Sequence, residues 1–235
     1  MQIILAGLLC TLFLAAGSPV AAAGTLKGRI HFKGEKPAPV KLNMSADKRC
    51  GRLRGGEDVY SDQVVVNDNN TLKNVFIYVK NGLKPKKYTV PDEMVSLDQT
   101  GCMYRPRVFG IMVGQNLEIT NNDETFHNVH AVAKNSEGFN IGQPNKGMKR
   151  IKTFSRPEVM VKIKCDVHNW MAAYAGVMEH PFFAVSDDEG SFTIPDLPAG
   201  EYEIETWHEK YGTKTMKVSV GASDVKTADF TYEIR

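Results

Sequence analysis

A cysteine, a histidine and a methionine lie within seven residues of one another, as Cys165, His168 and Met171. A second histidine-bearing segment lies upstream, where His127 and Asn128 follow a stretch rich in Asn and Asp. A thiolate and two neutral imidazoles form a mixed soft and borderline ligand set, and a weak thioether added to them suits Cu(I) and Cu(II) alike. A buried free cysteine is commonly only a small hydrophobic residue, but this combination of residue types predicts a copper site.

The elements that must position these residues are short β-strands. Apolar and polar side chains alternate in several runs, and in one of them Val159, Ile163 and Cys165 share a face of the strand that ends at the cysteine. A period of two, with turn signals between the runs, is typical of an all-β sandwich. No amphipathic helix is predicted, and residues 134–157 are expected to form a basic loop.

The two histidine-bearing segments resemble those of the cupredoxins, the blue-copper β-sandwiches, and more closely those of plastocyanin-like bacterial proteins labelled methylamine utilization proteins. The resemblance implies a Greek-key cupredoxin-like β-sandwich that holds one copper ion. It makes His127, Cys165 and His168 the equatorial ligands of the copper and Met171 its axial ligand. It also implies that Asn128 orients the site and donates a hydrogen bond to the thiolate, a contact that tunes the reduction potential.

Two features depart from the plastocyanin pattern. Only two residues separate His168 from Met171, whereas plastocyanin-type loops have four, so Met178 remains an alternative axial ligand. Related binuclear copper domains carry a second cysteine in this loop, and its absence here predicts a single copper ion. His130 would point away from His127 on an extended strand, so we expect it to be a surface or interdomain residue.

The end of the chain resembles a carboxypeptidase regulatory-like (transthyretin-like) domain, through the run SDDEGSFTIPDLPAGEYEIE. That run lacks the opening strands of the domain, and the segments GTLKGRIHFKGEKPAPV and LKNVFIYV resemble them. We therefore expect a smaller β-sandwich built from residues 24–90 and 181–235, with a cupredoxin-like domain over 91–180 inserted between them. The alternative is two consecutive domains, a cupredoxin-like one over 24–178 and a regulatory-like one over 181–235.

Residues 1–23 are uncharged, largely apolar and end in small residues, which predicts a signal peptide that is cut after Ala23. An uncleaved N-terminal anchor is the alternative. Export would place the protein in the periplasm or outside the cell, with three cysteines remaining in an oxidising compartment. Cys50 and Cys102 both lie beside glycine with basic residues nearby, so we predict a disulfide between them that leaves Cys165 unpaired.

The overall charge argues against one large class of partner. Twenty-nine Lys and Arg against 27 Asp and Glu give a formal net charge of +2, which provides no electrostatic footprint for nucleic acid. No membrane span is expected in the mature protein. We predict an exported mononuclear copper protein that carries single electrons between redox proteins, such as a cytochrome or a copper oxidoreductase. The alternatives are a copper carrier and a β-sandwich interaction module without redox turnover.

Catalysis is not expected for this chain. A cysteine–histidine nucleophile is formally available, but no oxyanion-stabilising or orienting motif accompanies Cys165, and the neighbouring Asp166 would oppose formation of the thiolate. A redox partner is instead expected to approach the apolar edge near His168 and Trp170, through which an electron would pass.

The remaining polar residues of interest have no predicted role at the metal. We expect His31, His180 and His208 to be structural or exposed, although His180 and His208 could also meet at the junction of the two regions. The basic residues of 134–157 are interpreted as a solvated face, with a docking patch for an acidic partner as the alternative; they are Lys146, Lys149, Arg150 and Lys152.

Overall fold

The computed structural model describes residues 23–44 and 47–234. Within these ranges the chain forms seventeen strands and one short helix. In chain order they are β1 (Ala23–Lys33), α1 (Lys48–Leu53), β2 (Phe76–Asn81), β3 (Val95–Gln99), β4 (Tyr104–Arg105), β5 (Val108–Met112), β6 (Leu117–Asn121), β7 (His127–Val132), β8 (Phe139–Gln143), β9 (Met148–Lys152), β10 (Glu158–Lys164), β11 (Ala172–Met178), β12 (Phe183–Val185), β13 (Ser191–Pro198), β14 (Gly200–His208), β15 (Gly212–Val220), β16 (Val225–Thr227) and β17 (Phe230–Glu233). The predicted all-β fold is confirmed. No helix in the described ranges is both long enough and apolar enough to cross a membrane.

Strands β3 to β11 form what we call the central sandwich. Its larger sheet has the order β5-β11-β10-β7-β8 and its smaller sheet the order β4-β3-β6-β9. The inward faces of the two sheets enclose one apolar core, to which Leu117 and Ile119 contribute from β6 and Val161 and Ile163 from β10. These side chains alternate along their strands as the period of two predicts.

The other strands form what we call the terminal sandwich, because it joins the two ends of the described chain. Strand β1 pairs antiparallel with β13 and parallel with β16 and β17. The facing sheet has the order β12-β2-β14-β15. The core between the two sheets is apolar and includes Leu26, Ile30, Ile77 and Ile204.

The two sandwiches meet through strand β2, which is buried on both faces. Val75 and Ile77 point into the core of the terminal sandwich, whereas Phe76 and Tyr78 pack against Val108 and Met178 of the central sandwich. Close approach requires a glycine here, since a Cβ atom at Gly176 would lie 2.3 Å from the ring of Phe76.

Three local predictions are wrong. A helix, α1, forms where none was predicted. Cys50 on this helix and Met44, which precedes it, pack into the core of the central sandwich. Residues 134–157 contain strands β8 and β9 rather than only a loop. Strand β10 has a bulge at Met160, where φ is 65°, and the shift in register leaves Val159 exposed rather than on the inward face. The predicted signal peptide, apart from Ala23, lies outside the described residues.

Candidate metal centre

Three potential ligand atoms converge at one end of the central sandwich. The Nδ1 atoms of His127 and His168 are 3.0 Å apart, and the Nδ1 atom of His168 is 3.7 Å from the Sγ atom of Cys165. All three atoms lie within 4.8 Å of one another. The residues are 0%, 1% and 3% exposed for His127, His168 and Cys165. The structure therefore brings together the three residues that the sequence analysis named as equatorial ligands.

His127 is held in place by a buried carboxylate. It is the first residue of β7, and its Nε2 atom is 2.9 Å from Oδ2 of Asp123. Asp123 also accepts hydrogen bonds from the backbone amides of Gly101 and Cys102, at 2.6 and 2.7 Å. Burial raises the pKa of Asp123, but the hydrogen bonds from His127 and the two amides outweigh it, so the pKa is lowered and the carboxylate stays charged.

His168 is held by a second carboxylate, which comes from a different part of the chain. Its Nε2 atom is 3.0 Å from Oδ2 of Asp47, while Oδ1 of Asp47 accepts from the backbone amides of Arg49 and Cys50 and caps helix α1. The hydrogen bond from His168 is the main cause of a lowered pKa of Asp47. One carboxylate thus fixes both the start of the helix and the orientation of a ligand.

These two carboxylates determine which nitrogen of each imidazole is free. A carboxylate only accepts hydrogen bonds, so Nε2 of His127 and of His168 carries the proton in each ring. Both Nδ1 atoms then turn unprotonated lone pairs toward each other and toward Cys165. Bond lengths of about 2.0–2.3 Å in a trigonal set place ligand atoms about 3.5–4 Å apart. The observed separations are close to that range, so the residues present fit a metal ion.

The cysteine is prepared to be a thiolate. Burial raises the pKa of Cys165, but its contacts with the rings of His127 and His168, together with hydrogen bonds from the backbone amides of Asn128 and His168, outweigh it and lower the pKa to about 5. Burial also lowers the pKa of each histidine, and the contacts of His127 and His168 with their carboxylates and with Cys165 raise it further than burial lowers it. The thiolate that Asp166 was expected to oppose is therefore favoured by these other contacts.

Asp166 points away from the sulfur and anchors the ligand loop instead. Its carboxylate pairs with Lys164, and this contact is the largest cause of the lowered pKa of Asp166. Hydrogen bonds from Asn128, Asn140 and His130 lower that pKa further. The side-chain oxygen of Asn128 accepts from the backbone amide of Asp166 at 2.7 Å. Asn128 thus orients the loop, but its side-chain amide nitrogen donates to Asn140 and Asp166 rather than to the sulfur. The surface position predicted for His130 agrees with this contact.

The two candidate axial methionines lie in different environments. Met171 is buried in the same core cluster as Cys165, and the backbone of the ligand loop folds it back, since its carbonyl accepts from the amide of Cys165. Met178 packs against Phe76, Tyr78 and Val108 where the sandwiches meet. Met171 thus shares the core of the candidate ligands, whereas Met178 belongs to the contact between the sandwiches.

A disulfide lies beside the candidate site. Cys50 and Cys102 are bonded, as predicted, and Sγ of Cys50 is 3.5 Å from Nε2 of His168. The indole of Trp170 donates to the carbonyl of Cys102, and its ring lies 5.2 Å from that of His168. The imidazole of His168 is therefore covered by the disulfide and by Trp170, and it is 1% exposed.

The remaining histidines lie away from this cluster. His180 contacts the carbonyl of Val79, and the ring of His208 stacks on Tyr211 at 4.7 Å. Both belong to the terminal sandwich or its border. His31 is partly exposed on β1 near Asp229.

Asp47 and Asp123 were not predicted from the sequence as parts of the site. Asp123 lies four residues before His127, and this spacing in the loop was an available signal. Asp47 carries the signal of a helix N-cap, but it lies 121 positions from His168, and a contact at that separation leaves no trace in the sequence.

No protein-family model and no curated protein sequence matches the chain. Similar solved structures are cupredoxins. A Cu-containing nitrite reductase from Thermus scotoductus is 20% identical with a TM-score of 0.36, over 43% of this chain and 26% of that one. A purple cupredoxin from Nitrosopumilus maritimus is 24% identical with a TM-score of 0.31, over 35% of this chain and 98% of that one. An amicyanin variant is 20% identical with a TM-score of 0.33, over 41% and 97%.

The prediction that the chain is not an enzyme is corrected by this comparison. The similar structures include a nitrite reductase, an enzyme, alongside amicyanin and the purple cupredoxin. Likeness to this group therefore gives no ground for excluding catalysis. The likeness is low and covers about a quarter of the reductase chain, so the choice of metal depends on the ligand atoms described above.

Proposed function

We propose that this chain is a mononuclear copper protein that carries single electrons between redox proteins. The observation that carries the proposal is the convergence of two imidazole Nδ1 atoms and one thiol on a buried point, with each Nε2 atom bonded to a carboxylate. A metal ligand whose other nitrogen donates to a carboxylate is oriented and made more basic. The soft and borderline ligand atoms favour copper.

In this proposal His127, Cys165 and His168 hold the copper ion as equatorial ligands and Met171 is the axial one. The copper ion supplies one-electron redox chemistry. Asp123 and Asp47 keep the two rings in one orientation and one tautomer, and Asn128 holds the ligand loop through Asp166. Burial of the ligands excludes water from the sulfur, which protects the thiolate from oxidation.

A copper carrier is the alternative function. A carrier favours exposed ligands that release their metal quickly, whereas the three candidate ligands are each at most 3% exposed. Slow loss of Cu(I) to an excess of a bathocuproine chelator is expected for the electron carrier, and loss within the mixing time would favour the carrier function.

The test is the visible spectrum of the purified protein titrated with Cu(II). A copper–thiolate bond gives an intense charge-transfer band, so we expect one band that saturates at one copper per chain. Cys165→Ala should abolish it, since the other two cysteines of the described residues form the disulfide. His180→Ala, which removes a histidine outside the cluster, should leave it unchanged. Stoichiometric Cu(II) without the band would contradict the proposal.

The axial assignment has its own test. Met171→Leu should keep the charge-transfer band and raise the reduction potential, because loss of the thioether destabilises Cu(II) more than Cu(I). Met178→Leu is the matched control and should leave the potential unchanged. A shift in the Met178 variant alone would reverse the assignment.

We further propose that the copper-binding region, 91–180, is inserted into a smaller sandwich formed by 24–90 and 181–235. The pairing of β1 with β13, β16 and β17 supports this division, with one addition: α1, from the first segment, packs on the central sandwich. In hydrogen-exchange measurements, addition of copper should increase the protection of the amides in β6, β7 and β10 and leave that of β1 and β13 unchanged. An equal increase in amide protection in all five strands would instead favour one cooperative folding unit.

We also propose that the protein works in the periplasm or outside the cell after removal of residues 1–23. The uncharged, alanine-rich start of the chain supports this, as does the disulfide, which belongs to an oxidising compartment. The intact mass of the exported protein should correspond to a first residue Gly24. Retention of Met1 would favour an anchor instead.

A further inference from the structure

Helix α1 covers one ligand of the candidate site and presents cations to the solvent. The segment 48–54 contains four basic residues and no acidic one, although the whole chain is nearly neutral. Lys48, Arg49 and Arg52 are exposed. Beneath them, Asp47 is hydrogen bonded to His168, and Cys50 lies 3.5 Å from the same ring.

Within the part of the chain that the structure describes, these exposed cations form no ion pair. Among the described residues, no carboxylate lies within 4.0 Å of the side-chain nitrogens of Lys48, Arg49 or Arg52. Two lysines of the β8–β9 hairpin differ in this respect, because Lys146 and Lys149 pair with Glu124 and Glu118. The positive charge of the helix is therefore free to attract an acidic surface.

The same helix lies on a short route from the site to the solvent. His168 itself is buried, but the side chain of Asp47, one hydrogen bond away, is 29% exposed. Arg54, just after the helix, is linked to the other histidine as well. Its guanidinium donates to the carbonyl of Gly101, and the amide of Gly101 donates to Asp123, the carboxylate that contacts His127.

We propose that the exposed face of α1 is the docking surface for an acidic redox protein. This inference rests on the function proposed above. With copper bound, His168 and Asp47 would form the route for one electron between the site and the partner: a partner that gains the electron would leave Cu(II) behind, and a partner that gives one up would leave Cu(I). A patch of unpaired cations raises the rate of encounter with an acidic partner, and added salt screens this effect.

The surface is tested first without copper, with poly-L-glutamate as the acidic polypeptide. Amide resonances of residues 48–54 in the metal-free protein should shift during the titration. Combined Lys48→Gln, Arg49→Gln and Arg52→Gln substitutions should abolish these shifts, whereas the matched control, Lys146→Gln with Lys149→Gln, should retain them. Shifts confined to the β8–β9 hairpin, or no shift at all, would overturn the proposal.

The second test follows electron transfer by stopped flow in the copper-loaded protein. At low salt the triple variant should be oxidised by ferricyanide at least about tenfold more slowly than the wild type. Reduction by the cationic hexaammineruthenium(II) should become faster, and the reduction potential should not change. The double control variant should show the rates of the wild type. Equal changes of rate in the triple variant and the double control would overturn the docking surface.

The two proposals fail in different ways. A protein that takes up no copper contradicts the proposed function, while the poly-L-glutamate titration still decides whether α1 binds acidic chains. A blue protein that is oxidised by ferricyanide at the same rate with and without the charges of α1 would contradict the docking surface, and the proposed copper site would stand.

Discussion

The two sandwiches of this chain are built alike and differ in what they bury. Each has two facing sheets around an apolar core. The central sandwich additionally buries a thiol, two histidines and a carboxylate at one end. Its strands supply apolar faces as those of the terminal sandwich do, while the loops at that end and the first residue of β7 supply the polar cluster. The comparison indicates that the sheets provide rigidity and that the loops carry the chemistry.

Two equally buried histidines show the difference most clearly. His168 and His208 are each 1% exposed. Burial, together with the nearby charges of Arg107 and Lys210, lowers the pKa of His208 to about 4. In His168 the contacts with Cys165 and Asp47 outweigh burial, and the pKa is raised. The charged neighbours rather than the degree of burial distinguish a ligand from a core histidine.

The largest effect is expected from removal of the disulfide, which joins α1 to the central sandwich. Replacing Cys50 and Cys102 by serine releases a constraint over 52 residues, which contributes about 4 kcal/mol on the chain-entropy model. Denaturant unfolding should show a loss of that size, and hydrogen exchange should increase in α1 before it does in β1. An unchanged free energy of unfolding, or a loss confined to the terminal sandwich, would contradict this account.

A smaller loss in the free energy of unfolding is expected at acid pH, and it should arise from His208 in the terminal sandwich. The folded-state pKa of His208 lies below its ordinary value of 6.5, so folding favours the neutral ring. Its contribution is complete above pH 6.5 and is lost as the pH falls toward 4, by about 3 kcal/mol in all.

The free energy of unfolding of the metal-free protein, measured from pH 7 to pH 4, tests this contribution of His208. His208→Gln, which keeps a polar side chain that cannot gain this charge, should remove that part of the pH dependence. His31→Gln, at a partly exposed position, is the control and should follow the wild type. A His208→Gln variant with the full acid sensitivity of the wild type would show that another group is responsible.

The smallest effect is expected where the two sandwiches meet. Gly176→Ala places a methyl group against the ring of Phe76, and overpacking of this kind costs about 1–3 kcal/mol. Gly51→Ala is the matched control, since a Cβ atom there would lie 3.9 Å from the carbonyl oxygen of Met44 and alanine favours a helix. Thermal unfolding should separate the two variants, and equal stability would mean that the junction adapts at little cost.

Local patterns in the sequence could predict the strands and three of the clustered residues. Alternation along β6 and β10 predicts their inward faces, and the spacing of Cys165 and His168 within one loop identifies them together. Met160 could not be predicted as a bulge, because its left-handed backbone depends on pairing with β11. Asp47 was missed for the same reason: its contact with His168 depends on how distant segments pack.

X-ray absorption at the copper edge tests the central claim most directly. The proposed site predicts two imidazole nitrogens and one thiolate sulfur around a single copper ion, in the oxidised and the reduced protein alike. Asp47→Asn should retain this set, because the asparagine oxygen can still accept from His168, whereas Cys165→Ala should lose the sulfur. A copper ion surrounded only by nitrogen and oxygen in the wild-type protein would contradict the claim.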